Sequence, residues 1–102
     1  MIVTIDFKNI DNREKLLKKL DDEFGFSKEM PKYGNNLDAF WDLYSFRDEN
    51  DHFELVNYRS ITDENFKKYV DTFISILDNL RGYEDNGKKI IPNPNFDYEV
   101  IS

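Results

Sequence analysis

The stretch Tyr33-Gly-Asn-Asn-Leu-Asp-Ala-Phe-Trp-Asp42 decides how the rest of the chain is read. A tyrosine-glycine turn leads into a short helix in which Leu37, Phe40, Trp41 and Tyr44 recur at i, i+3, i+4 and i+7. That spacing predicts one buried face. Asp38 and Asp42 fall together on an adjacent face. Like charges at that separation cost a helix roughly 0.2–0.5 kcal/mol. The positive end of the helix dipole offsets Asp38, but Asp42 lies beyond the first turn and gains little from it. Fold stability does not ask for Asp42, which points to a role outside the fold.

Outward from this helix, the elements follow in a simple order. Residues 2–7 (IVTIDF) read as a strand with Val3, Ile5 and Phe7 on one face. Asn12 is placed to cap a helix with the stripe Leu16, Leu17, Leu20 and Phe24, and Gly25 to end it. Pro31 and Gly34 make residues 27–34 an ordered turn rather than helix. The quoted helix then spans residues 36–46, with Asn35 or Asn36 as its cap. Residues 47–52 form a polar, acidic connection, and residues 53–58 (FELVNY) a second strand.

Thr62 opens the longest helix, with Asp63 and Glu64 in its first turn, where the dipole favours acids. Its apolar face runs from Phe66 to Leu80, and Gly82 ends it. Residues 84–95 read as a loop containing Asn86-Gly87, Pro92 and Pro94; residues 98–101 read as the last strand. The order β-α-α-β-α-β predicts an α/β fold: a small three-stranded parallel sheet with right-handed crossovers, packed with helices. No repeat, low-complexity tract or linker divides the chain, so residues 1–102 are expected to form one domain.

The string YGNNLDAFWD resembles the signature of the barstar family, intracellular inhibitors of a secreted bacterial ribonuclease (barnase). Such proteins carry a tyrosine-glycine turn and an asparagine-leucine-aspartate-alanine helix that closes on tryptophan-aspartate. The resemblance is tight over this stretch and elsewhere rests on element order, which matches a barstar-like fold. It implies that the helix and the loop before it plug a nuclease active site. Asp42 would stand where a substrate phosphate binds, with Asp38 supporting it nearer the helix start.

By the same resemblance, Tyr33, Gly34, Asn36, Leu37 and Trp41 would form the surrounding contact surface. Leu37 and Trp41 also lie on the apolar stripe, so at least one belongs to the core. The family uses an aromatic residue past the second aspartate, which falls near Phe46 or Arg47 here. It also uses an acid on the last helix, for which Asp78 is a counterpart. The chain departs from the pattern at Lys32, where the family carries a second tyrosine.

Composition is compatible with a binding role, although an acidic balance on its own also serves simply to keep a protein soluble. Nine Phe and six Tyr supply a packed core, and 21 acids against 14 bases give a net charge of −7. Phosphate backbones and anionic membranes select clustered Lys and Arg, so direct contact with nucleic acid or membrane is not expected. A negative surface suits a basic protein, and a barnase-like extracellular-type ribonuclease is one. The chain has no cysteine and begins at Met1 without a signal-peptide pattern, so a cytoplasmic location is expected. Nothing calls for an obligate dimer, and a monomer is expected in the free state.

Two other readings compete. Asp38 and Asp42 could form a metal or acid–base pair with His52 as a third group. However, no histidine accompanies them at ligand spacing, and nucleophile and phosphate-cradling motifs are missing. The expectation is therefore no enzyme, with no catalytic residue, metal ligand or cofactor and His52 at the surface. Alternatively, the acidic face could belong to a binding module that neutralises a non-RNase toxin or another basic protein. The acidic run at residues 48–51 is a further recognition candidate in that case, or else a solvated turn.

Overall fold

The computed structural model describes residues 1–25, 36–44 and 50–102. Strand β1 (Ile2–Asp6) precedes helices α1 (Arg13–Phe24) and α2 (Leu37–Tyr44). Then follow β2 (His52–Val56), a 3-10 turn (Tyr58–Ser60) and the long helix α3 (Glu64–Arg81). The chain closes with β3 (Tyr83–Asp85), β4 (Lys88–Ile90) and β5 (Asp97–Ile101). β1, β2 and β5 form a parallel sheet in the order β1-β2-β5. This is the expected α/β arrangement, a small three-stranded parallel sheet packed with helices. β3 and β4 form a separate antiparallel pair.

Local chemistry sets the element boundaries. Val3, Ile5 and Phe7 are buried as the alternation predicted. The Asp6 carboxylate then accepts from Asn57 Nδ2 at 2.8 Å and from the Lys8 N–H at 2.9 Å. Those bonds, the Asn57 bond foremost, hold the Asp6 carboxyl below the usual carboxylate range. Asn57 itself adopts a left-handed φ of 61°, so β2 stops at Val56 instead of running on to Tyr58. The Asn12 side chain caps α1 by accepting from the Lys15 N–H at 2.9 Å, and Gly25 ends it at φ 66°. α3 is capped by Asp63, which accepts from the Phe66 N–H at 2.9 Å, and Thr62 lies outside the helix.

The segment expected as a loop at residues 84–95 is partly a hairpin. Asn86 and Gly87 both take positive φ (51° and 77°), as a two-residue I′-type hairpin turn requires. Past β4 the chain re-enters the core at the buried Asn93 and Phe96. The Asn93 N–H donates to the Leu80 carbonyl at 3.3 Å, and its Oδ1 accepts from the Asn95 N–H at 3.0 Å.

The register aligns Val3, Phe53 and Tyr98, and then Ile5 and Leu55, on the face that the helices cover, while Val100, next in that row on β5, is exposed. The alternate residues point the other way, where Ile2, Thr4, Asp97 and Glu99 are exposed. Parallel sheets are ordinarily covered on both faces. Here those edge-strand residues of one face are exposed, and His52, Glu54 and Val56 of the central strand are half-buried.

Candidate functional site

Helix α2 is held from its cap and along one side. Asn36 Oδ1 accepts from the Ala39 N–H at 2.8 Å, which fixes Asn36 rather than Asn35 as the observed cap. Phe40 and Tyr44 are fully buried, and Leu37 nearly so. The Phe40 ring stacks on Tyr44 at 5.2 Å and lies 5.6 Å from Phe73 of α3. Tyr44 meets Phe24, Phe53 and Phe96 edge to face at 5.2, 5.9 and 5.7 Å. Such pairs add about 0.5–1.5 kcal/mol each beyond area burial.

The Tyr44 hydroxyl also donates a 2.6 Å bond to Asp51 Oδ2, and Asp51 is 2% exposed. The Met1 ammonium stands 3.7 Å from the other Asp51 oxygen. A carboxylate this deep needs such partners. Asp51 therefore serves the fold and is unavailable for recognition, which corrects the reading of residues 48–51 as a recognition run or solvated turn at this one position. Asn50 is exposed, and Asp48 and Glu49 lie outside the described residues.

With that side locked into the core, the rotation of α2 leaves Asp38 and Asp42 exposed. Of the two apolar residues expected to divide between core and contact surface, Leu37 goes to the core. Trp41 is half-buried at the boundary, its ring 6.4 Å from that of Tyr83 in β3. Asp38 sits in the first turn of α2, close enough to act on Tyr69 of α3. Burial chiefly pushes the Tyr69 hydroxyl up; Arg13, stacked 4.7 Å over the ring, opposes this, and Asp38 adds to it.

The remaining expected contacts are placed differently. Asp78 is exposed on α3 and accepts from the Tyr98 hydroxyl at 3.2 Å, beside Arg81, whose guanidinium covers the Tyr98 ring at 5.4 Å. Asn36, Leu37, Asp38, Trp41 and Asp42 thus share one helix and its cap, whereas Asp78 belongs to the α3–β5 edge. Tyr33, Gly34 and Phe46 lie outside the described residues, as do Lys32 and Arg47. His52 does not join the aspartate pair; it sits on β2, near Glu54 of the same strand and Glu99 of β5.

A cleft of about 400 Å³ opens between the start of α1 and the first half of α3. Three of its charged groups are already used by the fold. Asp11 pairs with Lys15 at 2.9 Å, Asp63 caps α3, and Arg13 covers Tyr69. Among the described residues, no helix is long and apolar enough to cross a membrane.

Two neighbours of the site escaped the sequence reading. Tyr83 was legible in principle, because Asn86-Gly87 is a hairpin signal that brings β3 into play. Asp51 had no such signal, being one acid among several.

Comparison with known proteins gives one family. The family model described as Barstar (barnase inhibitor) matches residues 1–91, which takes in every element except β5. No curated protein and no solved structure matched the chain.

Proposed function

The chain belongs to the barstar family, and from that premise we propose that it inhibits a barnase-type ribonuclease by covering the enzyme's active site with the outer face of α2 and the turn before it. Barstar-family proteins are inhibitors, not enzymes, and they bind barnase-type ribonucleases. The observation that carries the proposal is the division of labour on α2. Its apolar side is built into the core while both aspartates stay exposed beside it.

The chemistry is substitution. A ribonuclease cleft gathers Arg, Lys and His to hold a phosphate, and a carboxylate presented there meets the same donors with charge-assisted hydrogen bonds. Asp42 takes the phosphate position and Asp38 the supporting one. Asn36 and Trp41 form the rim, Leu37 holds the helix from below, and Tyr33, Gly34 and Phe46 complete the surface. Asp78, already engaged by Tyr98, plays a peripheral part.

A net charge of −7 draws in a basic enzyme, an effect for which the barnase–barstar pair is itself a standard illustration. In this reading the chain is a monomeric cytoplasmic immunity protein that protects the producing cell until the nuclease is exported.

The test is titration of a barnase-type ribonuclease with this protein while RNA cleavage is followed. Cleavage should fall linearly and vanish at one equivalent. Undiminished cleavage under a severalfold excess of the protein would refute the proposal for that enzyme class and favour a basic partner of another kind.

A further inference from the structure

The sheet face turned away from the helices carries His52 and Glu54 of β2 and Glu99 of β5. One ligand atom from each lies within 4.8 Å of the others. We propose that these three side chains bind a divalent transition-metal ion of the zinc class. The site is independent of the α2 surface.

The register creates the cluster. His52 and Glu54 alternate onto the same face of β2, and Glu99 is the in-register partner of Glu54 on β5. Carboxylates directly opposite one another repel. Among the described residues, the Glu54 side chain makes no hydrogen bond or ion pair that relieves that repulsion. The outward residues of the three strands include Asp6, Glu54, Asp97 and Glu99 but no Lys or Arg. Arg81 reaches Asp97 at 3.2 Å from the helix side, at the sheet edge. A half-buried carboxylate with no Lys or Arg paired to it among the described residues, beside a second carboxylate and an imidazole, has the chemistry of a cation site.

The spacing fits. With bonds of about 2.0–2.2 Å to nitrogen and oxygen, two ligands of a tetrahedral ion stand about 3.3–3.6 Å apart. His52 Nε2 and Glu99 Oε1 are already 3.2 Å apart. Glu54 closes the triangle by rotation of its side chain. One imidazole with two carboxylates favours Zn²⁺ and its neighbours over Ca²⁺ and Mg²⁺, which prefer oxygen alone. The fourth position is open to water. The ion ties the edge strand β5 to β2, and Glu99 lies beyond residues 1–91, so the cross-link is outside the part matched by the family model.

The experiment is calorimetric titration of the tag-free full chain with ZnCl₂ at near-neutral pH, paired with thermal unfolding. One equivalent should bind, and the unfolding midpoint should rise with zinc and fall back on chelation. His52→Ala and Glu54→Gln should each weaken zinc binding at least ~100-fold, beyond the 10–100-fold typical of outer-shell losses. Glu99→Gln, on the exposed edge strand, should do the same. All three should keep the wild-type circular dichroism. No saturable binding up to millimolar zinc, or binding that survives these substitutions, would overturn the proposal.

Discussion

Helices α2 and α3 both bury one face and display aspartates on the other, yet the fold uses the two sets differently. On α3, Asp63 caps the helix, Asp71 accepts from the Tyr58 hydroxyl, and Asp78 accepts from Tyr98. On α2, Asn36 and Tyr44 carry the polar duties, one as the cap and the other as the donor to buried Asp51. Asp38 and Asp42 are exposed on its outer side. The proposal places the nuclease contact on α2 rather than on the longer α3.

The comparison can be broken at its strongest point first. Removing one member of a desolvated charge pair costs about 3–5 kcal/mol. Asp42→Ala should therefore weaken nuclease binding by ~100-fold or more. Its unfolding midpoint should stay at the wild-type value, since the side chain is exposed. Equal small losses from Asp42→Ala and Asp78→Ala would erase the distinction between the helices.

Tyr44→Phe probes the opposite side of α2. It strips a donor from buried Asp51 and should lower stability by about 1–3 kcal/mol in urea unfolding. Affinity per folded molecule should change by no more than a few-fold. Asp38→Ala should cost tenfold or less, mainly in the association rate measured by stopped flow. That loss should shrink as salt screens over ~8–10 Å. Asp78→Ala should cost less than ~1 kcal/mol of affinity.

The smallest effect belongs to α3. The bond to Asp71 chiefly pushes the Tyr58 hydroxyl up; at Tyr98, burial acts first and Asp78 second. A raised value in the folded state means that the fold holds the neutral phenol. That contribution is complete below the ordinary tyrosine value of about 10 and is lost as pH rises through the higher folded values. Urea midpoints should therefore fall on the alkaline side, and Tyr58→Phe should flatten part of the fall.

Much of this architecture is legible in the sequence because its signals are local. Asn12 and Gly25 bracket α1, and the stripe of Leu37, Phe40 and Tyr44 fixes the rotation of α2, which in turn exposes Asp38 and Asp42. What escaped depends on distant parts of the chain. Three-residue strands rich in charge, such as Tyr83–Asp85 and Lys88–Ile90, show no alternation, so only Asn86-Gly87 announces their hairpin. Asp51 differs from an ordinary surface acid only through Tyr44 and the amino terminus. His52 and Glu99 become neighbours solely through the pairing of β2 with β5. The uncovered sheet face is likewise a product of register.

The most direct test of the α2 assignment is amide-resolved NMR of the one-to-one complex with a barnase-type ribonuclease. Shifts concentrated in residues 36–44, with residues 97–101 of β5 unmoved, are the result predicted. Shifts concentrated on the outer sheet face, with α2 silent, would contradict the account.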